Sequence, residues 1–107
     1  MSIAVQRYSR IDLLRILRIT PRQLQAWEKA ELVTATDGYS FFDLLQIKKV
    51  RDLCAEKVRP AMIRQSLQAM QKQVAGMENP LLEAGAYQSG RRVAFRHQGR
   101  LVEPIAG

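Results

Sequence analysis

Three capping boxes near the amino terminus indicate where helices of this chain begin. Each box pairs a Ser or Thr with an acid or amide three residues later: Ser9 with Asp12, Thr20 with Gln23, and Ser40 with Asp43. In such a box each side chain satisfies a backbone N–H group that helix formation leaves unpaired. Because Ser9 and Thr20 are only 11 residues apart, the first helix must be short and followed by a tight turn. We predict helices over about residues 10–17 and 21–29, typical of a helix-turn-helix.

Apolar residues on both sides of each cap support the same helix starts. They can pack as hydrophobic staples in the pairs Tyr8 with Leu13, Ile19 with Leu24, and Tyr39 with Leu44. Pro21 adds a second signal, because proline is favoured at the first position of a helix. Leu13, Leu14 and Leu17 are expected to face inward from the first helix.

The second helix has an apolar back and a basic front. At helical spacing Leu24 and Trp27 share one face, while the opposite face carries Arg22, Gln25, Ala26 and Lys29. Such a helix suits the major groove of DNA, where Arg pairs with guanine and Gln with adenine. The alternative is that both side chains are ordinary solvated residues. Arg15, Arg18 and Lys29 are candidates for phosphate contacts, and the Thr20 hydroxyl is a cap that also lies within reach of a phosphate.

The remainder of the chain predicts two further helices and two hairpins. The Ser40 cap begins a helix that ends near Lys57, and Pro60 begins another whose apolar residues recur up to Val74. Between the second and third helices, Asp37-Gly38 is typical of a two-residue hairpin turn, which predicts a β-hairpin wing over 34–40. A second hairpin is expected around Gln98-Gly99. Ile3 and Val5 alternate as in a short strand.

The chain is basic, and its charge is unevenly distributed. The net charge is +7 and the isoelectric point is near 10.2. Residues 1–30 contain six Lys or Arg and two acidic residues, and so contribute +4 of this charge. A basic excess around the second helix favours a polyanionic partner.

Nothing in the sequence points to catalysis, metal binding or membrane insertion. Cys54 is the only cysteine and His97 the only histidine, which excludes an intrachain disulfide and a cysteine cluster for metal. No apolar run approaches the roughly 20 residues of a membrane span. We therefore expect a protein that is not an enzyme, without metal or cofactor, located in the cytoplasm and associated with the nucleoid.

The order of helix, turn, helix, wing and two more helices is similar to that of the DNA-binding domain of MerR-family transcription regulators. YSRIDLLRILRITPRQLQAWEKAELV (residues 8–33) resembles the family pattern of a Tyr-Ser start, a capped Pro-Arg-x-Leu opening and an aromatic-Glu-basic stretch. Gly38-Tyr39 resembles the wing turn, and Phe42-Asp43-Leu44 resembles the start of the third helix. The likeness covers about residues 8–70.

The resemblance implies a transcription regulator that binds promoter DNA as a homodimer and acts on RNA polymerase. It also implies contacts of Trp27 and Tyr39 with the DNA backbone. Three departures from the family pattern alter these expectations. Gln25-Ala26 replaces a common Arg-Tyr pair, which predicts a different sequence preference, and the wing lacks arginines. Arg18 and Glu31 stand at usual glycine positions, which predicts a different helix ending because left-handed geometry is costly without glycine.

We therefore predict a mainly α fold with a small β part. It comprises a winged helix-turn-helix domain over residues 1–75, a linker over 76–87, and a β-hairpin extension over 88–107 that leads to a further domain. The expected function is sequence-specific binding of double-stranded DNA and regulation of transcription, with residues 21–29 in the major groove. Two alternatives remain open: an excisionase-like architectural DNA-binding factor, and a winged-helix module that binds another protein instead of DNA.

Overall fold

Five helices precede a three-stranded antiparallel sheet in the computed structural model, which describes residues 7–105. The helices are α1 (Arg10–Leu17), α2 (Pro21–Lys29), α3 (Phe41–Ala55), α4 (Pro60–Gln73) and α5 (Pro80–Glu83). The strands are β1 (Gly85–Ser89), β2 (Arg92–His97) and β3 (Arg100–Val102) in spatial order β1-β2-β3. The fold is thus a mixed one, with the helices first and a small sheet last. The strand expected at Ile3 and Val5 lies outside the described residues.

All three predicted capping boxes are present. In α2 the Thr20 hydroxyl accepts a hydrogen bond from the Gln23 N–H at 3.1 Å, and the Gln23 amide oxygen accepts one from the Thr20 N–H at 2.8 Å. Ser9 with Asp12 and Ser40 with Asp43 form the same reciprocal pairs at the starts of α1 and α3. The predicted bounds of α1 and α2 are confirmed to the residue.

The turns after α1 and α2 adopt left-handed backbone geometry without glycine. Arg18 has φ 55° and Glu31 has φ 62°. The prediction that the two helices end differently at these positions is therefore wrong, because both residues adopt the left-handed backbone conformation that a glycine would adopt. Ile19 between α1 and α2 is buried, which holds the chain in the turn although Arg18 adopts a strained conformation.

The predicted β-hairpin wing over 34–40 is absent from the structure. Asp37 and Gly38 do not have the positive φ angles that a two-residue hairpin turn requires, and no strand forms within this segment. Tyr39 instead pairs with Tyr8, in front of α1, through two backbone hydrogen bonds of 2.8 Å. Tertiary pairing with a distant segment has replaced the local hairpin.

The carboxy-terminal third is more ordered than the sequence indicates. The expected linker over 76–87 contains α5 and most of β1, which pairs with β2 from Gly85–Arg96 to Ser89–Arg92. The hairpin around Gln98-Gly99 is confirmed: the two residues have φ angles of 50° and 76° and join β2 to β3.

One hydrophobic core joins the helices to the sheet. It runs from Leu13 and Leu24 through Ile47 and Ile63 to Phe95 of β2, all of them buried. The sheet therefore packs on the same core that positions α2. Within residues 7–105, no helix has both the length and the apolarity needed to cross a lipid bilayer.

Candidate nucleic-acid interface

Helix α2 is held by its back and leaves its front exposed. Leu24 is 0% and Trp27 3% exposed, because both side chains pack into the core. Burial of two large apolar side chains stabilises this position by roughly 3–6 kcal/mol. Opposite them lies the α2 front, which we define as the exposed side chains of Arg22, Gln25, Ala26 and Lys29. The structure brings these predicted residues together along one shallow depression.

The acid of α2 is neutralised by α1. Glu28 lies beside the α2 front, and Arg10 donates two hydrogen bonds to its carboxylate, at 3.0 and 3.1 Å. The hydrogen bonds to Glu28 are the main cause that raises the pKa of Arg10 above its ordinary value, against a smaller effect of burial. The negative charge of Glu28 is thereby compensated next to a surface that is otherwise positive or neutral.

Three further predicted residues lie at or before the start of α2. Arg15 is exposed in the last turn of α1, and Arg18 is exposed at the end of that helix. Thr20 is exposed as well, and its hydroxyl oxygen is engaged as the helix cap. Arg15 and Arg18 do not line the depression that contains the α2 front.

Trp27 and Tyr39, for which the resemblance implies contacts with the DNA backbone, have buried side chains. Trp27 is packed behind α2, and Tyr39 is only 1% exposed because its ring belongs to the hydrophobic core. Both side chains are almost wholly buried, so we assign them to the core and not to the exposed face of α2. The Tyr39 hydroxyl has no hydrogen-bond partner within the part of the chain that the structure describes.

The structure adds two cations that the sequence did not identify. Lys57 and Arg59 belong to the turn between α3 and α4, and they line one groove together with Thr20, Arg22 and Ala26. The turn is held in place by Val58, which is 1% exposed and directs its two charged neighbours outward. Only long-range packing reveals this proximity, because these residues are about 35 positions from Arg22 along the chain.

The remaining reactive side chains do not form a site of their own. Cys54 is half-buried on α3, and His97 is half-buried at the end of β2. Burial raises the pKa of the Cys54 thiol above its ordinary value, while the neighbouring Trp27 acts in the opposite direction. Within residues 7–105, no three His, Cys, Asp or Glu side chains are grouped as a metal ion would require.

Comparison of the chain with protein families, with curated proteins and with solved structures gave no match.

Proposed function

We propose that the protein binds double-stranded DNA with α2 in the major groove. The observation that carries this proposal is the division of α2 into a buried back, Leu24 and Trp27, and an exposed front with Arg22, Gln25 and Lys29. A helix anchored in this manner presents polar side chains to a groove about 12 Å wide without disturbing its own packing.

The two residues suited to base recognition are Arg22 and Gln25. A guanidinium group binds the O6 and N7 acceptors of guanine, and a carboxamide binds the N6 and N7 atoms of adenine. Ala26 beside them is small enough to contact a thymine methyl group. The proposed reading surface is thus short and consists of three neighbouring side chains on one face of α2.

Cations on both neighbouring turns suit contacts with phosphates. Arg15 and Arg18 come from α1 and the turn after it, while Lys57 and Arg59 come from the turn between α3 and α4. Lys29 is at the end of α2 itself. Such contacts orient a protein on the duplex and supply affinity without reading sequence.

The same surface supports a role in transcription regulation of the MerR type. In this proposal α1, the three-residue turn and α2 form the helix-turn-helix, and the irregular segment 34–40 occupies the place of a wing. Residues 31–47 contain no Lys or Arg, so this segment contributes little to phosphate binding. Binding as a homodimer and action on RNA polymerase rest on the family resemblance.

The test is selection of bound duplexes from a random pool, followed by titration of the enriched sequence at several salt concentrations. We expect one enriched motif and an affinity that falls steeply with salt, because bound cations displace counterions from DNA. Arg22→Ala is expected to weaken binding by about 1–3 kcal/mol and to relax one position of the motif. Arg91→Ala, which removes an equal charge from the exposed β1–β2 turn, is the matched control.

A protein-binding module is the second candidate. Phe41 and Phe42 are 56% and 66% exposed at the start of α3, with ring centres 6.3 Å apart, and such aromatic pairs are typical of protein interfaces. Two results would favour this candidate over DNA binding. The selection would enrich no duplex, and Arg22→Ala would have the same weak affinity for duplex DNA as the native chain.

A further inference from the structure

A groove between α2 and the turn that joins α3 to α4 has the character of a small-molecule site. We call it the α2–α4 groove, and its lining residues relevant here are Arg22, Ala26, Trp27, Lys57, Val58 and Arg59. We propose that it binds a small aromatic carboxylate, which combines a planar apolar ring with one negative charge. All residues that line the groove fall between Thr20 and Pro60.

The floor of the groove is apolar, and the groove is large enough to hold an aromatic ring. Trp27, Val58 and Ala26 form the floor together with Cys54 and Pro60, and the volume is about 410 Å³. Small-molecule sites typically have volumes of roughly 300–1,000 Å³ and combine apolar walls with few polar groups. An aromatic ring placed here would cover apolar surface that is otherwise in contact with water.

The rim determines the charge of the ligand. Arg22, Lys57 and Arg59 line the groove, whereas no Asp or Glu does. None of the three cations has an ion-pair partner among residues 7–105. A carboxylate would therefore meet unneutralised donors, and the hydrogen bonds of an ionised pair are about twice as strong as neutral ones.

A second cavity on this protein lacks the same combination. It has a volume of about 220 Å³ beside α3 and is lined by Thr34, Thr36, Asp43, Gln46 and Asn79 among others, without any cation. An anion would meet the carboxylate of Asp43 there. The α2–α4 groove is thus distinguished by both its apolar floor and its positive rim.

Occupation of the groove would oppose DNA binding, and this part of the inference rests on the proposed function. Arg22 belongs to both the groove and the α2 front, so one guanidinium group cannot serve a carboxylate and a base at the same time. Coupling between two ligands is reciprocal. Bound DNA must therefore lower the affinity for the carboxylate by the same factor by which the bound carboxylate lowers the affinity for DNA.

The experiment titrates para-chlorobenzoate into the full chain without DNA and follows the emission of Trp27, the single tryptophan. We expect a saturable change, and binding at least about tenfold weaker for para-chlorobenzamide and for inorganic phosphate, since loss of a charged contact costs about 1.4 kcal/mol or more. The amide has the ring without the charge, and phosphate has the charge without the ring. Equal binding of either one overturns the proposal.

Variants locate the site. Lys57→Gln combined with Arg59→Gln is expected to abolish saturation, and Ala26→Leu is expected to do the same by filling the floor without changing any charge. Lys48→Gln combined with Arg91→Gln is the control, because both side chains are exposed and outside the groove. Circular dichroism establishes that each variant is folded. Unchanged binding in the two groove variants would contradict the assignment.

The competition with DNA is measured separately. Addition of para-chlorobenzoate is expected to lower the affinity of the native chain for its selected duplex, whereas the same concentration of para-chlorobenzamide is expected to lower it much less. If the ligand binds but the duplex affinity does not change, the site stands and its coupling to DNA is wrong. If no duplex is selected, the proposed function fails, while the titration without DNA still decides the ligand site.

Discussion

Arg10 in α1 and Glu28 in α2 form a bidentate ion pair, with nitrogen–oxygen distances of 3.0 and 3.1 Å. The pair joins the two helices proposed to meet DNA and is separate from the apolar contacts behind α2. Glu28 is 17% exposed, so its carboxylate is partly withdrawn from water and depends on Arg10 for compensation. The planar guanidinium fork fixes the relative position of the helices at this point.

Removal of this pair is expected to lower the stability of the folded protein. Arg10→Met should lower the free energy of unfolding by about 1–2 kcal/mol, because it leaves a partly buried carboxylate without its partner. Urea denaturation measures the change. Arg64→Met, which breaks the more exposed pair of Arg64 with Glu31, should cost less than about 1 kcal/mol. An equal loss in both variants would show that the Arg10–Glu28 pair contributes no more to the free energy of unfolding than the exposed Arg64–Glu31 pair.

The left-handed conformation of Arg18 predicts that glycine is better tolerated at this position than alanine. A side chain at φ 55° costs roughly 1–2 kcal/mol relative to glycine, partly offset by the greater freedom of glycine in the unfolded chain. We expect Arg18→Gly to be more stable than Arg18→Ala by about 1 kcal/mol in thermal denaturation. The two variants lose the same charge, so their difference isolates the backbone. No difference between them would mean that the turn relaxes when Arg18 is replaced.

The cations of the α3–α4 turn and the amide of α2 should act differently on DNA. Lys57→Gln is expected to weaken all duplexes alike and to lower the magnitude of the salt slope by about 1, as for loss of one phosphate contact. Gln25→Ala should leave the salt slope unchanged and alter preference at one base pair by about 1–3 kcal/mol. Titrations of matched and mismatched duplexes measure both effects. A sequence-dependent effect of Lys57→Gln would place that residue at a base instead.

Burial of Cys54 predicts slow alkylation of the folded protein. Because the pKa of this thiol is raised, less thiolate is present at a given pH than in the unfolded chain, and the thiolate is the reactive form. Iodoacetamide should modify the native protein more slowly than the protein in urea across neutral and mildly alkaline pH. The single cysteine makes the mass shift unambiguous. Equal rates would indicate that the α3 position of Cys54 opens readily to solvent.

The features that could be predicted from sequence are those decided within a few residues. The starts of α1, α2 and α3 follow from side chains that cap their own backbone, and the turn at Gln98-Gly99 follows from two adjacent residues. The inward positions of Leu24 and Trp27 follow from helical spacing alone. Such interactions depend little on the rest of the molecule, so local reasoning succeeds.

The segment around Tyr39 adopts a structure that its local sequence does not predict. Asp37-Gly38 favours a hairpin, yet Tyr39 gains two backbone hydrogen bonds by pairing with Tyr8 and buries its ring. Strand β1 is a similar case, since it becomes a strand only because β2 offers it a partner. A short segment with weak preferences adopts the conformation that its distant neighbours stabilise.

By itself, the sequence determined where helices α1 to α4 start and which face of α2 is polar, because caps and periodicity act over one or two turns. The tertiary structure decided that Tyr39 belongs to the core, and it placed Lys57 and Arg59 beside Arg22 in one groove. These outcomes depend on how α3 and α4 pack against α2. Contacts between residues far apart in the chain are selected by the shape and burial of the whole core, which no local pattern encodes.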